Sequence, residues 1–263
     1  MGKTNISLRM KKILELLAGR EEIAVGDMAD RFQVATMTIR RDLETLEQQG
    51  LIIRTHGGAI LTAPSVVAFQ FHSRQQSHMA EKRAIAKAAV RLVKPGMTII
   101  LDTGTTTLGL AHALGGLTGI KVLTSSLAIA SALLTHGGIE LVLLGGTASK
   151  NSPDLSGQLT EANLATFRAH IVFIGADAVD KHGLYTNTQQ IAQVTRAMIA
   201  SSEKVVLVAD SSKFGRNAFA SITGWKDIDM LFVDDGLDAQ SRKWIKNTVR
   251  NHTLVPTDIR KEA

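Results

Sequence analysis

Six short aliphatic runs between residues 97 and 234 constrain the fold of this chain more than any other feature. They are Met97–Asp102, Lys121–Ser125, Glu140–Gly145, His170–Gly175, Lys204–Ala209 and Met230–Asp234. Helical patterns separate most of them, at Thr107–Leu114, Leu127–Leu134, Gln189–Ser201 and Ala239–Val249. Continuously apolar strands that alternate with helices are typical of a parallel sheet with both faces covered. Residues 80–263 are therefore predicted to form an α/β domain with a mostly parallel sheet.

The first 61 residues carry a different pattern, in which short amphipathic helices precede an alternating run. Ile13, Leu16 and Leu17 mark the inner face of a first helix, whose flanking charges are expected to stay in solvent: Arg9, Lys11 and Lys12. A second short helix is predicted at Ile23–Phe32, with a turn at Gln33–Ala35. This spacing of elements is typical of a helix-turn-helix unit.

The helix after that turn is predicted to bury one face and to expose two adjacent arginines, Arg40 and Arg41. At about 100° per residue, the apolar positions on one side are Ile39, Leu43 and Leu46. Arginine can donate two hydrogen bonds to guanine, and threonine hydroxyls can reach phosphates or bases. Gly50 is expected to end this helix, because glycine adopts the left-handed conformation without a Cβ clash.

The alternating run Leu51–Ile60 predicts a β-hairpin wing after this helix. The first domain, residues 1–61, is thus predicted to be a winged helix-turn-helix that binds double-stranded DNA. Its candidate DNA-contacting residues are Thr36, Thr38, Arg40, Arg41, Arg54 and His56. A three-helix packing module whose arginines are only a solvated face is the alternative.

The distribution of charge gives the DNA hypothesis no support. The formal net charge is +6, but residues 1–60 hold nine Lys or Arg against eight Asp or Glu. Binding must therefore rest on placed arginines, helix ends and dimerisation.

The chain has no cysteine, no apolar run long enough for a bilayer and no signal-peptide pattern. A cytoplasmic protein without a membrane partner is expected.

Residues 62–79 lack a clear period and are predicted to be a linker, ordered in part through Val66–Phe71. A helix is predicted at Ala80–Val93, with its inner face formed by Ile85, Ala88, Ala89 and Leu92. Pro95 and Gly96 are expected to stop that helix.

Small polar residues follow the predicted strands of the second domain. The segment Asp102–Thr107 lies where a strand ends and a helix begins, so free amides and the positive end of the helix dipole are expected to face a ligand. Gly104 permits close approach of the backbone, and four threonine hydroxyls can bind anionic oxygens. Simple capping of the helix is the alternative to a ligand site.

The other strand ends carry hydroxyl, glycine, Asp or Lys residues, and such ends bind ligands in parallel α/β sheets. A phosphorylated small molecule is the predicted ligand. Lys213 would supply positive charge to its phosphate, and Asp102 and Asp177 would accept hydrogen bonds from its hydroxyls. The candidate effector-binding residues are Asp102, Thr103, Gly104, Thr105, Thr106, Thr124, Ser125, Lys150, Asp177 and Lys213.

Catalytic chemistry finds no support in the sequence. The eight histidines are scattered without metal-pair spacing, no serine stands in a G-x-S-x-G elbow, and the Gly104 loop lacks the Gly-Lys-Ser/Thr ending of a P-loop. No catalytic residue, metal site or cofactor is predicted.

Several motifs occur together along the chain. In the first domain they are Met28–Phe32, Thr38–Leu43, Gly50–Leu51 and Arg54–Gly58. In the second domain they are Glu81–Ala86, Asp102–Thr106, Gly145–Gly146 and Asp210–Gly215. Together they resemble the DeoR family of bacterial transcription regulators over nearly the whole length. The resemblance implies a winged helix joined to a domain similar to type A ribose-5-phosphate isomerase. It also implies a phosphorylated-sugar effector, a dimer or tetramer, and repression of carbohydrate-use genes.

The chain departs from that family at four positions. Ala35 stands where many members have Ser, so Thr36 is expected to supply the helix cap. Ser125 replaces a frequent Asn, and Ser149, next to Lys150, lies near a usual Arg. Ile191 occupies a position where an acidic residue is common.

Two rival functions remain open. One is a sugar-phosphate isomerase with an accessory module, although isomerase-type proton transfer needs a carboxylate base. Gln189, Gln190 and Ile191 supply no acid where that base is expected, so binding without turnover is favoured. The other rival is a module whose first 60 residues only dimerise.

Overall fold

The computed structural model describes residues 7–18, 22–62, 71, 73–148 and 152–257. The chain divides after Arg74 into two compact units, each with its own core. Within the described ranges, no helix is long and apolar enough to cross a membrane.

The N-terminal unit is a winged helix-turn-helix. Its helices are α1 (Leu8–Ala18), α2 (Val25–Phe32) and α3 (Thr36–Gln48). Its antiparallel sheet has the order β1-β3-β2, with β1 (Ile23–Ala24), β2 (Ile52–Arg54) and β3 (Gly58–Leu61). The predicted inner face of α3 is confirmed, since Ile39, Leu43 and Leu46 are fully buried. Gly50 follows α3 with φ of 70°, as predicted.

The start of the second helix was predicted wrongly. Ile23 and Ala24 do not belong to α2 but pair as β1 with Ala59 and Gly58 of the wing. This pairing explains why residue 58 is glycine, because a Cβ there would lie 2.1 Å from the carbonyl oxygen of Ile23. The strand β1 thus ties the wing to the entrance of α2.

Arg9 was also predicted wrongly as a solvated charge. Its guanidinium donates from Nε and Nη2 to the two carboxylate oxygens of Asp42, with the Nη2 bond 3.2 Å long. The hydrogen bond to Asp42 raises the pKa of Arg9 above its ordinary value. Asp42 lies on the inner side of α3 and is only 5% exposed, so this pair joins α1 to α3.

The C-terminal unit contains a seven-stranded sheet in the order β15-β14-β12-β9-β4-β5-β6, in which every pairing is parallel. The six predicted strands are present. They are β4 (Thr98–Leu101), β5 (Ile120–Thr124), β6 (Ile139–Leu143), β9 (Ile171–Ile174), β12 (Val205–Val208) and β14 (Met230–Asp234). The seventh, β15 (His252–Val255), was not predicted. Successive strands proceed in opposite directions from the β4–β9 pair, which is therefore the switch point of the sheet.

Six α-helices after residue 78 accompany this sheet in the described part of the unit, and residues 73–76 are also helical. They are α4 (Met79–Ala89), α5 (Thr105–Ala113), α6 (Leu127–Leu133), α7 (Gln158–Ala165), α8 (Gln189–Ala200) and α9 (Ala239–Thr248). The helix predicted at Ala80–Val93 is α4 followed by a 3₁₀ turn at Val90–Leu92. Ile85 and Ala89 are buried as predicted, but Ala86 is buried where Ala88 was expected.

A smaller antiparallel sheet was not predicted. It joins β10 (Ala178–Val179), β11 (Leu184–Thr186) and β13 (Ala220–Thr223), and a separate hairpin joins β7 (Thr147–Ala148) to β8 (Leu155–Ser156). The helix α7 was also missed. The predicted order at Val66–Phe71 lies outside the described residues apart from Phe71.

Candidate DNA interface and ligand site

The N-terminus of α3 has no side-chain cap. Ala35 occupies the N-cap position, where it accepts backbone bonds from Thr38 and Ile39 but offers no hydroxyl. Thr36 does not replace the missing cap as expected, because it is already the first helical residue. The amides of Thr36 and Met37 have no acceptor among the described residues. Uncapped amides at a helix N-terminus attract anions.

The exposed face of α3 carries the two predicted arginines. Arg40 and Arg41 are exposed, and neither side chain has a hydrogen bond or ion pair within the described ranges. Thr38 is half-buried beside them, whereas Met37 is 55% exposed. Both guanidinium groups are thus available to a partner.

The wing places Arg54 and His56 differently. The guanidinium of Arg54 lies 3.8 Å from the carboxylate of Glu47 at the end of α3, and the Arg54 amide donates to the same group over 3.3 Å. His56 is exposed in the turn between β2 and β3. The Thr55 hydroxyl accepts from the amide of Gly58 over 2.9 Å, which closes this turn. No pattern in the sequence indicated Glu47, which connects the wing to α3.

Asp102 follows β4 at the switch point and is only 3% exposed. Its Oδ1 accepts from the amide of Thr103 over 2.8 Å, and the amide of Gly175, after β9, also donates to the carboxylate. The Thr195 hydroxyl, on α8, lies 3.3 Å from each carboxylate oxygen. Asp102 therefore joins the ends of two adjacent strands to a helix.

Burial raises the pKa of Asp102 to about 7, and the nearby charge of Asp154 acts in the same direction. The hydrogen bonds from Thr103, Gly175 and Thr195 oppose this shift without cancelling it. Near neutral pH the carboxyl therefore exchanges between charged and neutral forms. Thr195 and Asp154 were not among the predicted residues. Thr195 could have been found as a hydroxyl within the apolar face of a predicted helix, whereas Asp154 lies in a segment without a pattern.

The helix α5 begins three residues after Asp102, and no side chain caps its N-terminus. Its N-cap is Gly104, at φ of 139°, which offers no side-chain cap. Thr107 is fully buried, and its hydroxyl donates to the carbonyl of Gly104 over 3.0 Å. The expectation that four hydroxyls face a ligand was therefore wrong for Thr107. Thr103 and Thr105 are half-exposed, whereas Thr106 is 7% exposed.

The end of β5 contributes three hydroxyl residues with different roles. Thr124 is fully buried, and its Oγ1 accepts from the amide of Ser126 over 3.1 Å. Ser126 in turn caps α6 by accepting from Ile129. Ser125 is also fully buried, but its hydroxyl has no hydrogen-bond partner within the described chain. Thr124 thus stabilises the turn, and the Ser125 hydroxyl remains able to hydrogen-bond a ligand.

The end of β9 leads to Asp177, which is half-buried. Its Oδ2 accepts from the Thr186 hydroxyl over 2.9 Å and from the Asn187 amide over 3.0 Å. This oxygen therefore fixes the segment that leads into α8. At the start of α8, Gln189 and Gln190 are exposed, and the first turn contains no acidic residue.

The end of β12 leads to Asp210 and Lys213. Asp210 is fully buried, its Oδ1 accepts from the Ser212 amide over 3.2 Å, and its Oδ2 has no partner among the residues described. Lys213 is half-buried, and its ammonium makes no described ion pair. Lys150, with Ser149, lies outside the described residues. No cluster suited to a metal ion occurs in the described ranges.

Two family models match the chain. One, the DeoR-like helix-turn-helix domain, matches residues 9–64, and the other, the DeoR C terminal sensor domain, matches residues 77–235. Among solved structures, ribose 5-phosphate isomerase A from Methanocaldococcus jannaschii is 25% identical, with 51% of this chain and 53% of that chain covered and a TM-score of 0.37.

Curated relatives match over most of the length. A protein of Escherichia coli O157:H7 named as a putative aga operon transcriptional repressor is 35% identical over 92% of this chain and 91% of its own. The glycerol-3-phosphate regulon repressor of Escherichia coli K12 is 32% identical over 86% of this chain and 90% of its own. Both relatives are named as repressors. The chain accordingly belongs to the DeoR family of DNA-binding transcriptional regulators.

Proposed function

We propose that this protein represses carbohydrate-metabolism genes and that a phosphorylated sugar, bound at the switch point of the C-terminal sheet, controls its hold on operator DNA. The observation that carries the proposal is the uncapped N-terminus of α5 beside the buried carboxyl of Asp102. The names of the relatives support the assignment, because they include repressors of an aga operon and of a glycerol-3-phosphate regulon.

On the DNA side, α3 has the features of a recognition helix. The free amides of Thr36 and Met37 suit a phosphate, and Arg40 and Arg41 suit bases or adjacent phosphates. Arg54 and His56 on the wing suit the DNA backbone or the minor groove. Because Glu47 lies beside Arg54, the wing arginine is oriented toward the same side of the unit as the end of α3.

On the effector side, the amides at the start of α5 suit a phosphate, and Thr103 and Thr105 add hydroxyls. Lys213 supplies positive charge, and we assign the same role to Lys150. The unused oxygens of Ser125 and Asp210 suit hydroxyls of a sugar. Thr106, Thr124 and Asp177 support the loops around the site, because each is buried or already bonded.

Control requires that the effector bind with different affinity to the DNA-competent and DNA-incompetent states. We propose that the protein acts as a dimer or tetramer in the cytoplasm, so that the effector changes the spacing of paired DNA-binding units. Residues 62–79 are assigned as the linker between the DNA-binding domain and the sensor domain.

A thermal-shift panel of phosphorylated sugars tests the effector site. A ligand at 100 times its dissociation constant should stabilise the protein by about 2.7 kcal/mol. Thr105→Ala should reduce this shift, whereas Thr253→Ala, at an exposed position on β15, should not. Inorganic phosphate and the unphosphorylated sugars serve as ligand controls. If no phosphorylated sugar shifts the melting point of the wild type, the proposed site is wrong.

A further inference from the structure

The outward face of α1 carries four exposed residues whose side chains make no hydrogen bond or ion pair within the described ranges. They are Leu8, Lys11, Lys12 and Glu15. At 100° per residue these positions fall within an arc of about 100°. Leu8 is 71% exposed, which is a large apolar exposure for the first turn of a helix. The opposite face of α1 packs on the core through Ile13 and Leu17.

A cleft of about 300 Å³ lies beside the C-terminal half of α1. Its buried apolar lining comes from Ile23 and Met28, with half-buried Leu16 at one side. Three exposed charges complete the described lining, namely Asp27, Asp30 and Arg31. Two carboxylates against one guanidinium give this rim a net negative charge. An apolar cleft with an acidic rim suits a side chain that is apolar, or that has an apolar stem and a positive end.

We propose that this face of α1 and the adjoining cleft form a two-fold contact between the DNA-binding units of two copies of this chain. In the contact, α1 packs antiparallel to α1 of the second copy. The inference rests on the proposed function, in which paired units bind operator DNA.

In an antiparallel register, Lys12 and Glu15 of one copy can form ion pairs with Glu15 and Lys12 of the other. When Lys12 lies opposite Glu15 of the second copy, symmetry places Glu15 opposite the Lys12 of that copy. The same register places Lys11 at the level of Leu16 of the second copy along the helix axis. In this register Leu8 falls opposite position 19, about 4.5 Å along the axis past Leu16 of the second copy at 1.5 Å per residue, and so just beyond the end of that helix at Ala18.

The charge order along α1 favours a second copy over another kind of partner. Lys11 and Lys12 make the N-terminal half basic, whereas Glu15 and the rim residues Asp27 and Asp30 make the other half acidic. A two-fold contact must be complementary to itself, and an antiparallel arrangement places each half against its opposite. DNA would be repelled by the acidic half.

The absence of cysteine from the chain allows a direct cross-linking test in the full-length protein. Lys12→Cys protein is mixed with Glu15→Cys protein on DNA that carries two operator half-sites, and the mixture is oxidised. We expect a covalent heterodimer in this mixture. The control mixture, Lys12→Cys with Gln48→Cys on α3, should give little product. Equal or absent cross-linking in the two mixtures, with half-site affinity intact, would overturn the inference.

Charge reversal gives an independent readout. Glu15→Lys should weaken binding to paired half-sites at least fivefold while leaving binding to a single half-site unchanged, and Lys12→Glu in the same chain should restore it. Unchanged paired-site affinity in Glu15→Lys would overturn the contact. If Glu15→Lys also loses binding to a single half-site, α1 contacts DNA, and this result too would overturn the proposed contact between copies. If the wild type binds no DNA, the proposed function itself fails.

Discussion

The Thr195 hydroxyl lies 3.3 Å from both carboxylate oxygens of Asp102, and this contact links α8 to the switch point of the sheet. Asp102 is also bonded to the amides of Thr103 and Gly175, on adjacent strand ends. A single buried carboxyl therefore holds together the loop that precedes α5, the loop that follows β9 and the middle of α8. A change in its charge would alter a hydrogen bond to each of the three.

The raised pKa of Asp102 predicts a defined pH dependence of stability. Because this pKa is about 7 in the folded protein, against 3.8 for an ordinary aspartate, the folded state binds more protons than the unfolded state between about pH 4 and pH 7. Stability is therefore lost as the pH rises through that range. In Asp102→Asn this loss should disappear, so the stability of the variant relative to the wild type should increase by about 2–4 kcal/mol from pH 4 to pH 8.

Denaturant unfolding of the C-terminal unit at several pH values measures this difference. Any constant cost of the amide cancels, because only the change with pH is compared. Thr253→Ala, an exposed change that removes no titratable group, serves as the control and should leave the pH profile of the wild type unchanged. Parallel profiles for Asp102→Asn and the wild type would refute the role assigned to burial.

Gly58 should tolerate no side chain. In Gly58→Ala the new Cβ would meet the carbonyl oxygen of Ile23 at 2.1 Å, so β1 and β3 must separate. We expect a loss of about 1–3 kcal/mol in the stability of the N-terminal unit and faster hydrogen exchange at residues 52–61. Gly57→Ala is the control, because a Cβ at Gly57 has open space. Equal exchange in the two variants would contradict the close approach.

Arg41 should contribute directly to operator binding. Because its guanidinium is exposed and unpaired among described groups, Arg41→Ala should cost about 1–3 kcal/mol if it contacts a base. Arg91→Ala, at an exposed position of the C-terminal unit, makes the same change in charge and controls for long-range electrostatics. Fluorescence titrations at several salt concentrations separate a base contact from a phosphate contact. Unchanged affinity and sequence preference would remove Arg41 from the interface.

The main sheet could be predicted because its strands are continuous aliphatic runs buried on both faces. The strand β15 escaped prediction because His252 and the exposed Thr253 interrupt its apolar pattern at the sheet edge. Ile23 resembles a helical position locally and becomes a strand residue only by pairing with Ala59, 36 residues away along the chain. Such pairings depend on tertiary contacts that no local period records.

The candidate site could be predicted in its location but not in its bonding. The polar strand ends identified Asp102 and Ser125, because parallel strands bring their carboxyl ends to one edge. The sequence could not show that Thr107 bonds to Gly104 or that Thr195 reaches Asp102, since these contacts depend on side-chain orientation. The same limit applies to Arg9, whose partner Asp42 lies on another helix.

The coupling between effector and operator is the central claim, and one titration tests it most directly. Operator affinity is measured with and without each phosphorylated sugar that shifts the melting point, for the wild type and for Thr105→Ala. We predict that at least one such sugar changes the affinity of the wild type by between about 5-fold and 150-fold, and that Thr105→Ala reduces this change. An operator affinity that is the same with and without a saturating, bound sugar would contradict the proposed coupling.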